Sequence, residues 1–163
     1  MKRLLKHLFS GAWQVRRAFP PAAMQAIKAA ISAAERLHHG EIRFAVEAGL
    51  DVLPLLHGES ARERAIQVFS ELRVWDTERN NGVLIYLLLA DRDVEIVADR
   101  GVHARVGAEG WEEICRQMEG CFKERRFEAG VIGGIQAVSH CLEKYYPRQG
   151  ADTNELPDAP IVL

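Results

Sequence analysis

The stretch Asn80-Asn81-Gly82-Val83-Leu84-Ile85-Tyr86-Leu87-Leu88-Leu89-Ala90-Asp91-Arg92-Asp93-Val94-Glu95-Ile96-Val97-Ala98-Asp99-Arg100-Gly101 sets the architecture. Val83 to Leu89 is apolar at every position, the composition of a central strand covered by helices on both faces. Asp91-Arg92-Asp93 supplies a short turn, and Val94, Ile96 and Ala98 form the returning strand, so the pair reads as a β-hairpin. Ahead of it, Trp75 to Gly82 is a polar loop rich in turn formers.

Upstream, Ser60 and Glu63 have capping-box spacing, and Ala65, Val68, Phe69 and Leu72 line one face of the helix they open. A loop through Pro54 and Gly58 precedes that helix. Before the loop, Ile42, Phe44 and Val46 alternate with Arg43, Ala45 and Glu47, which predicts a half-buried strand. Phe19-Pro20-Pro21 ends one helix and starts another, whose apolar side is Met24, Ile27, Ile31, Ala34 and Leu37, with Gly40 as the stop. Downstream, Trp111, Ile114, Cys115, Met118 and Phe122 form one helix face. Val131, Ile135, Val138, Leu142 and Tyr145 form another, ending before Pro147. Gly133-Gly134 inside that helix costs roughly 1 kcal/mol per glycine against alanine, which predicts a close helix–sheet approach. From Gln149 onward there is no periodicity, and the segment is expected to run over the surface or fray. This order predicts an α/β fold, a three-layer α/β/α sandwich around a small mixed β-sheet, preceded by an amphipathic N-terminal helix. The chain divides into a basic head (1–18), an α/β domain (19–148) and an acidic tail (149–163).

With 163 residues, 48% hydrophobic and 27% charged, the chain can bury a core without disulfides or structural metal. Its longest apolar run, Val83 to Ala90, is less than half of the ~20 residues a bilayer crossing needs. A net charge of −2 argues against a dedicated nucleic-acid binder. That total hides an asymmetry, because residues 1–18 carry Lys2, Arg3, Lys6, Arg16 and Arg17 and no acid, while the tail carries Asp152, Glu155 and Asp158. In the head, Leu4, Leu5, Leu8, Phe9, Ala12 and Trp13 fall near one helical face. Two uses compete for that face: docking on the protein's own core, or lying on an anionic membrane surface with Phe9 and Trp13 inserted. Lys6 and His7 interrupt any signal-peptide core, and no small-residue cleavage site follows.

Topology alone gathers a candidate site. The first strand reaches the central one through a helix, so as neighbours the two should be parallel, and the hairpin makes the third antiparallel. Glu41, Asn80, Asn81 and Asp99 then lie at one edge of the sheet, with Asp76 in the adjoining loop. Carboxylates, side-chain amides and loop carbonyls are the oxygen-rich set a hard cation such as Ca²⁺ or Mg²⁺ takes. The alternative is that the asparagines supply turn geometry while Glu41 and Asp99 cap helices or pair with Arg79 and Arg100.

Asn81-Gly82-Val83-Leu84-Ile85 followed by Val94-Glu95-Ile96-Val97-Ala98-Asp99-Arg100-Gly101 resembles the core signature of TPM domains, the family named for thylakoid-lumen, photosystem-repair and acetylcholine-receptor-modulator proteins. Gly40-Glu41-Ile42-Arg43, Phe127-Glu128-Ala129-Gly130 and Asp152-Thr153-Asn154-Glu155-Leu156-Pro157-Asp158 resemble a short bacterial branch of it. The resemblance implies an α/β/α sandwich, calcium binding in some members and a proposed acid-phosphatase activity. Many members read Asp-Asn-Gly where this chain has Asn80-Asn81-Gly82, which removes one carboxylate from the candidate site. Many also have a signal peptide and a C-terminal membrane helix, neither of which is read here. The expected compartment is therefore cytoplasmic, with the basic head at the inner membrane face.

Other chemistry is weakly supported. There is no P-loop and no signature of an organic cofactor, and Cys115, Cys121 and Cys141 sit on helix faces, as reduced cysteines do. No Cys-x-x-Cys exists, and the histidines are scattered or, as His38-His39, adjacent, which argues against zinc. Asp91-x-Asp93-x-Glu95 lacks the glycine of an EF-hand, Ile96 standing in its place. The reading is an accessory or assembly module that recognises protein partners, with a divalent cation at Glu41, Asp76, Asn80, Asn81 and Asp99. The alternative is a metal-assisted phosphatase at the same edge, with Arg79 holding phosphate and Asp99 or Asp76 as nucleophile.

Overall fold

A computed structural model describes residues 2–150 and 153–163, and the side chains of all of these except Lys2, so Asp152 of the tail signature lies outside the described residues. Four strands, β1 (Glu41–Glu47), β2 (Gly82–Leu88), β3 (Asp93–Ala98) and β4 (Ile161–Val162), form one mixed sheet in the order β3-β2-β1-β4. β1 runs parallel to β2, with Glu41 opposite Gly82, and the β2–β3 hairpin is antiparallel, with Val83 opposite Ala98. β4 is parallel to β1, Ala45 facing Ile161.

Side-chain alternation sends Ile42, Phe44, Val46, Val83, Ile85 and Leu87 to one face of the sheet. There they meet α3 (Pro21–Glu35), α6 (Arg100–Lys123, broken at Gly107) and α7 (Phe127–Tyr145). The other face, Ala45, Leu84, Tyr86 and Leu88, is covered by α5 (Ala61–Glu71), which starts on the Ser60–Glu63 capping box. The fold is therefore an α/β/α sandwich, as the sequence predicts. Between β1 and α5, the Pro54 segment is a short helix, α4 (Val52–Leu56), rather than loop. Its proline falls in the first turn, where no intrahelical donor is lost.

Three local expectations change. β1 is not half-buried: every residue from Glu41 to Val46 is buried, Arg43 included. Cover on the Ala45 face comes from the tail, whose described residues run over the surface as expected but also lay Leu156 and Ile161 against this face and add β4 at the open edge. Finally, the close approach in α7 is helix to helix. A Cβ on Gly134 would collide with the Met118 side chain of α6, whereas one on Gly133 would meet open space.

The N-terminal helix is present but divided into α1 (Lys2–Leu8) and α2 (Ala12–Ala18) by an extended Gly11. It docks through its polar side. Leu50 N–H donates to His7 Nδ1 (2.9 Å), so the ring proton sits on Nε2 and is donated to Asp91 Oδ2 (3.1 Å), which also accepts from Arg3 Nε (2.9 Å). Val15 and Phe19 complete the attachment by entering the core. No helix among the described residues is long and apolar enough to cross a membrane.

Candidate functional site

Parallel β1–β2 pairing and the β2–β3 hairpin place Glu41, Asn81 and Asp99 at one end of the sheet. Glu41 N–H donates to the Asn81 carbonyl (3.3 Å), and Asp99 N–H to the Gly82 carbonyl (2.9 Å). Asn81 is fully buried: its N–H donates to Thr77 Oγ1 (3.1 Å) and its Nδ2 to the His39 carbonyl (2.6 Å), leaving Oδ1 buried without a donor. Asp99 is the N-cap of α6, its Oδ1 accepting from Arg100 N–H (2.6 Å), and its Oδ2 is likewise buried without a donor. A buried acceptor left unpaired costs about 1–3 kcal/mol, and here two lie at one edge.

The other predicted ligands are placed differently. Asp76, Arg79 and Asn80 are exposed in the loop between α5 and β2. Asn80 adopts a left-handed backbone (φ 52°), and its carbonyl packs over Gly101, where a Cβ would sit 2.6 Å from that oxygen and 2.9 Å from Tyr146 Oη. Among the described residues no three His, Cys, Asp or Glu side chains are grouped closely enough to hold a metal ion, so Glu41, Asp76 and Asp99 do not form one carboxylate cluster. Glu41 already serves the tail: its Oε1 accepts from Glu155 N–H (3.1 Å) and its Oε2 from Leu156 N–H (3.0 Å). Glu155 in turn takes the Glu78 N–H on its own carboxylate (2.9 Å), tying the tail to the loop.

Beside this edge lies a cluster that sequence reasoning missed. Glu35, at the end of α3, accepts the Ile42 N–H (2.9 Å) and shares a hydrogen bond with Asp158 of the tail. Burial pushes the Glu35 carboxyl from its ordinary 4.5 to about 9, and the charges of Glu41 and Asp158 add to the push against the Ile42 bond. Arg43 is buried among the same three acids, with Nε and Nη1 lacking a hydrogen-bond acceptor. Its burial lowers the affinity of the guanidinium for its proton, while Glu35, Asp158 and Glu41 raise it. Three carboxyls around one guanidinium are in excess, and the proton that Glu35 retains relieves the excess. The available signal was Arg43 itself, a charge on a strand that turns out to be covered on both faces.

Chemically, the edge offers one carboxylate oxygen and one amide oxygen with no internal donor, flanked by loop carbonyls. That donor set suits a hard cation better than any soft metal. The three cysteines are free and partly buried.

The TPM domain family matches the chain over residues 16–141. No curated protein matches it significantly. Among solved structures, the BA42 protein from the psychrophilic bacterium Bizionia argentinensis, determined by NMR, is 31% identical. The match covers 87% of this chain and 93% of that one, with a TM-score of 0.74. The N-terminal domain of a P. gingivalis protein, also an NMR structure, is 17% identical over 80% of this chain and 82% of its own, with a TM-score of 0.61, a likeness of fold.

Proposed function

The chain belongs to the TPM domain family, and from that premise we propose that it is a non-catalytic accessory module whose sheet edge takes one weakly held divalent cation, Ca²⁺ or Mg²⁺. The observation that carries the reading is the pair of buried, donorless oxygens, Asn81 Oδ1 and Asp99 Oδ2, on adjacent strand ends. The reading requires one cation to reach both oxygens, which would then order the loop from Trp75 to Gly82. With a single uncommitted carboxylate the site belongs to the weak class, with dissociation constants of about 10⁻⁴–10⁻³ M. Glu41 already accepts the Glu155 and Leu156 amides, so the tail competes with an ion for its carboxylate. Trp75, half exposed at the head of the loop, supports protein recognition as the use of this ordered surface.

The test is an amide NMR titration of the full chain with Ca²⁺ and then Mg²⁺. Shifts at residues 80–82 and 99–101 are expected to saturate in the millimolar range and to vanish in Asp99→Asn, which keeps a competent helix cap while removing the charge. Unmoved amides at those positions would sink the reading. Hydrolysis of p-nitrophenyl phosphate by the parent, abolished in Asp99→Asn, would replace it with the metal-assisted phosphatase.

A further inference from the structure

The first N-terminal helix, α1, is docked the opposite way from an ordinary amphipathic helix. At 100° per residue, His7 lies opposite the arc formed by Leu5, Leu8 and Phe9, and His7 with Arg3 is the side fastened to Asp91 and Leu50. The apolar arc therefore points to solvent: Leu5 is 50% exposed, Leu8 54%, Phe9 74% and, on α2, Trp13 59%. In α2 the inward side is Val15, continued by Phe19, so Trp13 shares the outward side with the exposed Arg16 and Arg17. α4 packs beside α1 and adds Leu53 and Leu56, both mainly exposed. Lys6 is exposed at the flank of the arc, and no acid occurs anywhere in residues 1–18.

We propose that this face of α1 and α2 seats on an anionic bilayer surface, with Leu5, Leu8, Phe9 and Trp13 entering the headgroup–acyl boundary and Lys6, Arg16 and Arg17 meeting lipid phosphates. The charge pattern selects the occupant. Aromatic and leucine side chains on two helices whose own charges are all basic match an apolar layer covered by phosphates, and the groove that Leu5, Phe9 and Trp13 line adds Lys123 and Arg125 but also Asp91, Asp93 and Glu119. An apolar patch on a folded partner would bury the same side chains and leave the three cations without counter-charge. The polar clamp of His7 and Arg3 on Asp91 gives the helices a fixed attachment that does not consume their apolar side.

The test is co-sedimentation of the full chain with phosphatidylcholine vesicles carrying about one-third phosphatidylglycerol, and with pure phosphatidylcholine vesicles. A chelator is present throughout, so the result is independent of the cation site. The chain is expected to pellet with the anionic vesicles only, with a blue shift of Trp13 emission, and to be released as salt rises from about 50 to about 500 mM. Phe9→Ser combined with Trp13→Ser, and separately Lys6→Glu with Arg17→Glu, should each lower the bound fraction about tenfold or more. Melting temperatures should hold, since all four side chains are exposed. Recovery of the parent in the supernatant, equal binding to both vesicle types, or variants that bind like the parent would overturn the proposal; the first outcome would assign the face to a protein partner.

Discussion

Glu35 is a side chain with a large pH consequence in the range where the protein is handled. The native state holds its proton up to about pH 9, whereas the unfolded chain releases it near 4.5. Between those values the folded state binds more protons, so the Glu35 contribution is fully present below pH 4.5 and declines as pH rises through the window. Glu35→Gln keeps the acceptor for Ile42 N–H and cannot ionise, so its urea midpoint should decline less than the parent's between pH 5 and 9, and equal slopes would refute the assignment. At this scale the site was partly legible. Glu41, Asn81 and Asp99 share an edge because strand polarity follows from a helical crossover and a hairpin, both readable in the residues. Asp76 does not join them because a turn-rich loop carries no directional signal, and the commitment of Glu41 was hidden in backbone amides of an aperiodic tail.

Among the elements, the tail matters more than its composition suggests. It carries the amides that satisfy Glu41, the partner carboxyl of Glu35, the apolar cover over Ala45, and the strand that closes the β1 edge. Deleting residues 153–163 should lower the melting temperature and open a row of unpaired backbone groups on β1, giving concentration-dependent association by light scattering. A truncated chain that stayed monomeric and equally stable would refute this. Such a segment is hard to read in advance, since a two-residue parallel strand has no period to detect. The N-terminal helices are hard for a different reason. Helical periodicity located their apolar side, but hydrogen bonds from His7 and Arg3 to Asp91, more than 80 positions away, decide which side of α1 faces the core.

For the molecule as a whole, Asp91 is the clasp that holds the head to the β2–β3 turn. Asp91→Ala removes the acceptor of both Arg3 and His7 and leaves a buried ring N–H unpaired, a loss of about 1–3 kcal/mol. Trypsin should then cut after Lys6 at least several-fold faster, with the core from α3 onward surviving; an unchanged cutting rate would show that Val15 and Phe19 suffice.

The parallel addition of β4 has a spatial result. Leu163 N–H bonds to the Val46 carbonyl, and His7 meets Leu50, so the last residue and the head sit at the same end of the sheet. Asn81 and Asp99 lie at the other end, seven strand residues away, about 20 Å at ~3.3 Å per residue. That exceeds twice the ~8 Å Debye length of physiological salt. With the head seated on anionic lipid, the divalent ions that crowd the first layer of counter-charge stay out of reach of the cation edge. If the proposed cation binds there, the edge would report the bulk concentration, and an anchored molecule would respond to the solution rather than to the lipid composition beneath it.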